Sequence, residues 1–178
     1  VDNAAEVNGR GLAPFYFSIA LWIFGIVALL ILRPISVRAL ASRARSLTVA
    51  LAGWLPLLAV GLVAAAILVV VVDVGLGLDP VHLAALLGIV ALAVAAFTAL
   101  VQLCRVAFGV AGNAVALVLL MLQLTSCAGI VPLPTLPAPF RFLHPSMPMT
   151  YLVDGLRISI SGGPSDRYWR DMAVLAGF

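Results

Sequence analysis

The sequence predicts an all-α, polytopic membrane protein: four complete transmembrane helices, an external proline-rich helical hairpin and the start of a fifth span. Three observations carry this expectation. The chain of 178 residues is 64% hydrophobic and 10% charged, where soluble domains carry roughly 25% charged residues, and its mean hydropathy is +1.21. Its apolar runs reach the ~20 residues that a helix needs to cross ~30 Å of hydrocarbon. Its charges also sort by loop: the ten basic residues are all arginine, and arginine-only loops alternate with loops that hold the acids.

Residues 1–13 are polar and contain Gly and Asn, and read as an external linker. The first span covers 14–32, with Phe15, Tyr16, Phe17 and Trp22 crowded into its first half as an aromatic belt. Arg33-Pro34 closes it. The following loop, RPISVRALASRARS, carries Arg33, Arg38, Arg43 and Arg45 without an acid. Topology alone accounts for such a loop on the cytoplasmic side. The functional alternative is an amphipathic coupling helix facing a cytoplasmic partner, since Val37, Leu40, Ala41 and Ala44 recur at helical spacing.

The second span covers 47–72 and contains Trp54 and Pro56, the latter a kink or first-turn proline. The link DVGLGLDP offers Asp73 and Asp79, too few oxygens for calcium, which takes roughly six to eight. The third span covers 81–104. Its polar members, Thr98 and Gln102, are expected to bond between helices, with lining of a path as the alternative. His82 reads as an interfacial histidine. Arg105–Asn113 makes a tight return permitted by Gly109 and Gly112, and the fourth span covers 114–131. Gln123, Thr125 and Ser126 cluster near its end, where backbone groups need partners.

Six prolines fall from Pro132 to Pro148, each lacking the amide donor of a helix interior. The segment nevertheless stays apolar, with Leu133, Leu136, Phe140, Phe142, Leu143, Met147 and Met149. Broken apolar backbone beside a span is tolerated where protein buries it or water reaches it. An interfacial or re-entrant element is expected, within an external hairpin over 132–171. Inside it, 151–161 reads as a short helix lying at the interface, with Asp154 and Arg157 at a spacing that allows pairing. GGPSDRYWRD reads as a polar loop, and 172–178 as the opening of another span. The chain opens on Val1 without a signal-peptide pattern and stops inside this last run, so a piece of a longer protein is expected.

Orientation follows from charge. With the N-terminal segment outside, Arg33, Arg38, Arg43, Arg45 and Arg105 are cytoplasmic and all seven acids are external. The positive-inside rule favours this arrangement in the plasma membrane. It also explains the basic balance without nucleic acid. Cys104 and Cys127 read as small buried residues, with no CxxC or Cys/His spacing for a metal. No cofactor motif occurs. An enzyme reading finds no paired carboxylates within a span, no HExxH and no GxSxG. His144 with Asp154 is the only imaginable dyad, and it reads as structural.

The segment LMLQLTSCAGIVPLPTLPAPFRFLHPSMPMTYLVDGLR resembles the C-terminal membrane region of the YhgE/Pip (phage infection protein) family. The resemblance lies in Leu122-Gln123-Leu124, Ser126–Gly129, Pro132, Leu136-Pro137, Phe140, and the run from His144-Pro145 through Pro148-Met149-Thr150-Tyr151 and Asp154 to Leu156-Arg157. The opening GLAPFYFSIALWIFG is also similar. At the family's usual GGTFP-like stretch this chain instead reads Cys127-Ala128-Gly129-Ile130-Val131-Pro132. The resemblance implies a type-2 ABC-permease-like membrane domain over 14–178. It would lack a first span and a large external domain, and would work beside a separate ATPase subunit and a homodimer mate. No Walker motif (GxxxxGK[ST]) is present in the chain. The implied function is a permease-like component of an export or cell-envelope system. Gln123, Ser126, His144, Pro145, Pro148, Tyr151, Asp154 and Arg157 would form an external gate, and Arg33, Arg38, Arg43 and Arg45 a coupling loop. The alternative is a membrane anchor or scaffold, for phage adsorption or secretion, whose activity lies in an external domain.

Overall fold

The computed structural model describes residues 3–32, 46–77, 80–127 and 137–178. They form helices α1 (Asn3–Leu32), α2 (Ser46–Leu76), α3 (Leu83–Phe108), α4 (Gly112–Ser126), α5 (Ala138–Leu143), α6 (Pro148–Ser161) and α7 (Ser165–Ala176). Two 3-10 turns, Gly109–Ala111 and His144–Ser146, join neighbouring helices. There is no strand among the described residues.

The other helices gather round α3, which packs against α1, α2, α4, α6 and α7. Its sequence dictates this position. Leu86, Ile89, Ala93 and Phe97 recur every three or four residues and are fully buried. The Trp22 ring of α1 lies edge-on to Phe97 with centroids 4.9 Å apart. Helix α2 is apolar all round, and its buried apolar side chains among the described residues are Leu57, Ala65 and Val69. Val63, Ile67, Val70, Val71 and Val74 remain exposed along it, a face suited to hydrocarbon.

Among the described residues, three helical stretches are long and apolar enough to cross a membrane: Gly11–Leu32, Leu47–Gly75 and Leu83–Ser126. The third has 44 residues and would extend about 66 Å if straight, twice the hydrocarbon thickness. It is folded back on itself. Gly109 adopts φ 59° and ψ −130°, a conformation open to glycine, and α4 returns beside α3 and α1. Trp22 records the reversal. Its ring meets Phe97 of α3 while its Nε1–H donates to the Ala116 carbonyl of α4 at 3.1 Å. A Cβ on Gly112 would run into the backbone of Cys104 and Arg105. The return expected between Arg105 and Asn113 is where the chain turns.

Several expected boundaries move. Helix α1 begins at Asn3, so residues 3–13 are helical turns and not a linker. Polarity there misled the reading, because Ala4, Ala5 and Glu6 are good helix formers. Pro14 then sits inside the helix, with the Ser18 hydroxyl donating to its carbonyl at 2.7 Å. Helix α6 begins at Pro148, a proline in the first turn where a missing N–H costs nothing. It is wedged among α1, α3 and α7, with Met149, Leu152, Leu156 and Ser159 fully buried. The polar loop expected over GGPSDRYWRD is confined to Gly162-Gly163-Pro164, because α7 starts at Ser165. Asp166 in the first turn complements the helix dipole, and Tyr168, Asp171 and Leu175 face inward from one side. Residues 128–136, which include Pro132 and Pro134, lie outside the described residues.

Candidate functional site

The site is built where α4 ends. The Ser126 hydroxyl bonds back to the Leu122 carbonyl at 2.7 Å, and the Ser126 carbonyl accepts a hydrogen bond from His144 Nδ1 at 2.6 Å. A carbonyl can only accept, so Nδ1 carries the proton. The next residues are tied in turn. Thr150 Oγ1 donates to the His144 carbonyl at 2.9 Å, and the Tyr151 hydroxyl donates to the Pro145 carbonyl at 2.7 Å. Gln123 Oε1 accepts from the Met149 N–H at 3.3 Å. The polar cluster at the end of α4 therefore satisfies the backbone of the following element as well as its own.

Beside this staple lies a cavity of about 490 Å³ lined by His144, Tyr151, Asp154, Arg157, Arg167 and Asp171, among others. Asp154, Asp171, Arg157, Arg167 and Arg170 bring both signs of charge to it. Arg167 Nε is 3.6 Å from Asp154 Oδ2. Arg170 places Nε and Nη2 at 3.2 and 2.9 Å from Asp171 Oδ1. Asp171 is fully buried, and its Oδ2 has no hydrogen-bond donor. Burial pushes its carboxyl pKa up; the Arg170 hydrogen bond opposes this, the nearby Asp154 charge reinforces it, and the net direction is upward. Burial likewise pushes the Tyr168 phenol up, and its hydroxyl donates to the Ala85 carbonyl at 2.8 Å, fastening α7 to α3.

Of the gate residues expected from sequence, His144, Pro145, Tyr151, Asp154 and Arg157 line this one cavity. Gln123, Ser126 and Pro148 sit behind it as supports. Arg33, Arg38, Arg43 and Arg45 lie outside the described residues. Sequence reasoning missed Arg167, Arg170 and Asp171, which it had placed in a loop. The signal available was the three-and-four spacing of Tyr168, Asp171, Met172 and Leu175. For Asp154, the local spacing pointed to Arg157, and the structure adds Arg167 from the next helix.

The polar residues inside the third span behave as helix-to-helix ties. Trp54 Nε1 donates to Thr98 Oγ1 at 3.0 Å, and Gln102 Nε2 to the Ala50 carbonyl at 3.1 Å, both joining α2 to α3. Cys104 and Cys127 are buried.

Comparison with known proteins agrees with this architecture. The chain is 29% identical over 170 residues to "Uncharacterized protein YhgE" of Bacillus subtilis (strain 168), an alignment covering 95% of this chain and 22% of that protein. The chain thus spans well under two thirds of that relative's length. No solved structure matches. The family model described as ABC-2 family transporter protein matches residues 2–178. With that match and the resemblance to YhgE, the chain belongs to the ABC-2 family of transporter membrane proteins and is related to the YhgE/Pip group within it.

Proposed function

We propose that this chain is the membrane part of a permease-like component of an export or cell-envelope system, working beside a separate ATPase and doing no covalent chemistry of its own. In this reading α1, α2, α3 and α4 are four crossings of the plasma membrane, the N-terminal end is external, and α5 to α7 form an external gate. The observation that carries it is the placement of the charged cavity at one end of the apolar helices. Backbone bonds from Val81 N to the Ile160 carbonyl (3.4 Å) and from His82 N to the Ser159 carbonyl (3.1 Å) put the end of α6 beside the start of α3. The Ser126–His144 bond puts α5 and its turn at the end of α4. The helical hairpin therefore caps the end where one apolar helix starts and its antiparallel neighbour finishes. The start of α2 belongs to the opposite end, where Gln102 of α3 bonds to the Ala50 carbonyl, and the arginine-only sequence that precedes α2 in the chain supports the orientation. The uncovered apolar face of α2 suits lipid or a homodimer mate.

The test is co-purification of the full-length protein from its native membrane beside an R38E/R43E/R45E variant. Recovery of an ATPase that the variant loses supports the permease reading and makes that loop the coupling element. A second reading, a membrane anchor or scaffold, is favoured by one observation: 78% of the relative lies outside an alignment that covers 22% of it. Recovery of envelope or secretion proteins without an ATPase would support the anchor and overturn the permease.

A further inference from the structure

We propose that Asp154 and Asp171 together form a proton-binding site on the cavity wall, one proton held between two carboxyl groups that joins α6 to α7. Asp171 is fully buried and spends Oδ1 on both Arg170 contacts, at 3.2 and 2.9 Å. Its Oδ2 is equally buried and meets no donor. The Asp154 carboxyl group lines the same cavity from α6, acts on Asp171 through charge and hydrogen bonding, and has its Oδ2 3.6 Å from Arg167 Nε. Two ionised carboxylates have only acceptors to offer each other and repel. A single proton between them supplies the missing donor, turns repulsion into a charge-assisted hydrogen bond, and satisfies the buried oxygen.

The surroundings bear on how firmly the proton is held. From α6 come Tyr151 and Arg157, from α7 Arg167 and Arg170, and from the 3-10 turn His144, all at the same cavity. Tyr168 of α7 points instead to α3, where its hydroxyl meets Ala85. Helix α3 brings no ionisable side chain to this level; its Cys104 and Arg105 are at the far end, and His82 precedes its first residue. Helix α1, packed on α6, contributes Tyr16, which is exposed. The arginines stabilise the ionised pair and burial opposes it, and the direction at Asp171 is toward keeping the proton. Release breaks one O–H bond and sends the proton to water. It leaves two negative groups on the wall of one cavity, one from α6 and one from α7, and lowers the net charge of the cavity by one. The site so described does not depend on the permease reading.

Infrared spectroscopy of the full-length protein in bilayer nanodiscs tests this, titrated with pH for the wild type, D171N and D154N. The carbonyl stretch of a protonated carboxylic acid is separate from the carboxylate bands. A band that D171N removes, and that titrates in the wild type above the ordinary aspartate value of about 3.9, is the expected result. D154N is expected to move its midpoint down, since the neighbouring charge is gone. No D171N-sensitive band, or one that titrates in the ordinary range, would overturn the assignment. D171N places an amide N–H where the shared proton stood and is expected to fold. Should D154N not fold, the wild-type and D171N comparison decides alone.

Discussion

Gln123 of α4 caps the start of α6 from outside: its Oε1 accepts the Met149 N–H at 3.3 Å, and both residues are buried. The first amides of a helix have no intrahelical partner, and Pro148 with Met149 opens this one. Q123L keeps the bulk and removes the acceptor, leaving a buried amide unsatisfied at a cost of about 1–3 kcal/mol. Thermal unfolding of the full-length protein in detergent is expected to show Q123L less stable by that order. Equal stability would mean that the cap contributes nothing.

Much of this architecture was legible in the chain. Apolar runs of spanning length marked α1, α2 and α3, and Gly109 with Gly112 marked the reversal into α4. Other features were not, for physical reasons. In α7, the density of Ser, Asp and Arg suggested a loop, while the three residues that set its buried face include an aspartate. Amphipathic logic expects apolar residues there, so Asp171 hid the pattern it belongs to. Partners distant in sequence, such as Asp154 with Arg167 or Gln123 with Met149, come from packing and leave no spacing to read. His144, Pro145, Tyr151, Asp154 and Arg157 line one cavity because the chain between His144 and Arg157 is short and folds on itself.

Trp22 joins α1 to both arms of the α3–α4 return. W22F keeps a ring against Phe97 and loses only the N–H donated to Ala116. Ala116 lies within α4, where its carbonyl also serves the helix ladder, so no orphan acceptor is left. W22F is expected to cost about 0.5–1.5 kcal/mol. W22A also empties a fully buried site and is expected to cost about 3–5 kcal/mol. Denaturation of the two variants side by side checks the order; equal losses would show that the ring contributes nothing beyond the hydrogen bond.

Gly155 lets α6 approach α3. A Cβ there would overlap Ile89 Cδ1, and Ile89 is fully buried. G155V is expected to destabilise by roughly 1–3 kcal/mol through overpacking, and I89A by roughly 2–5 kcal/mol through the cavity it leaves. In the double variant the new methyl groups enter the space that I89A opens. Its loss is expected to fall short of the sum by about 0.5–3 kcal/mol. Strict additivity in a thermal or denaturant series would show that the two residues do not meet.

The raised Asp171 pKa also makes a prediction about stability and pH. Burial is the largest cause, and the net direction is up. The folded protein then binds a proton more tightly than the unfolded chain does. Between the unfolded aspartate value of about 3.9 and the higher folded value, the native state holds more protons. Stability from this group is present below that window and is lost as pH rises through it. D171N carries no such titration. The stability of the wild type minus that of D171N is therefore expected to fall as pH rises through the window, and to level off above the folded value. Measuring both proteins at a series of pH values cancels the other titrating groups to first order. A difference that stays flat would mean that folding leaves the Asp171 carboxyl unshifted, and one that rises with pH that Arg170 outweighs both burial and Asp154 and holds it below the unfolded value.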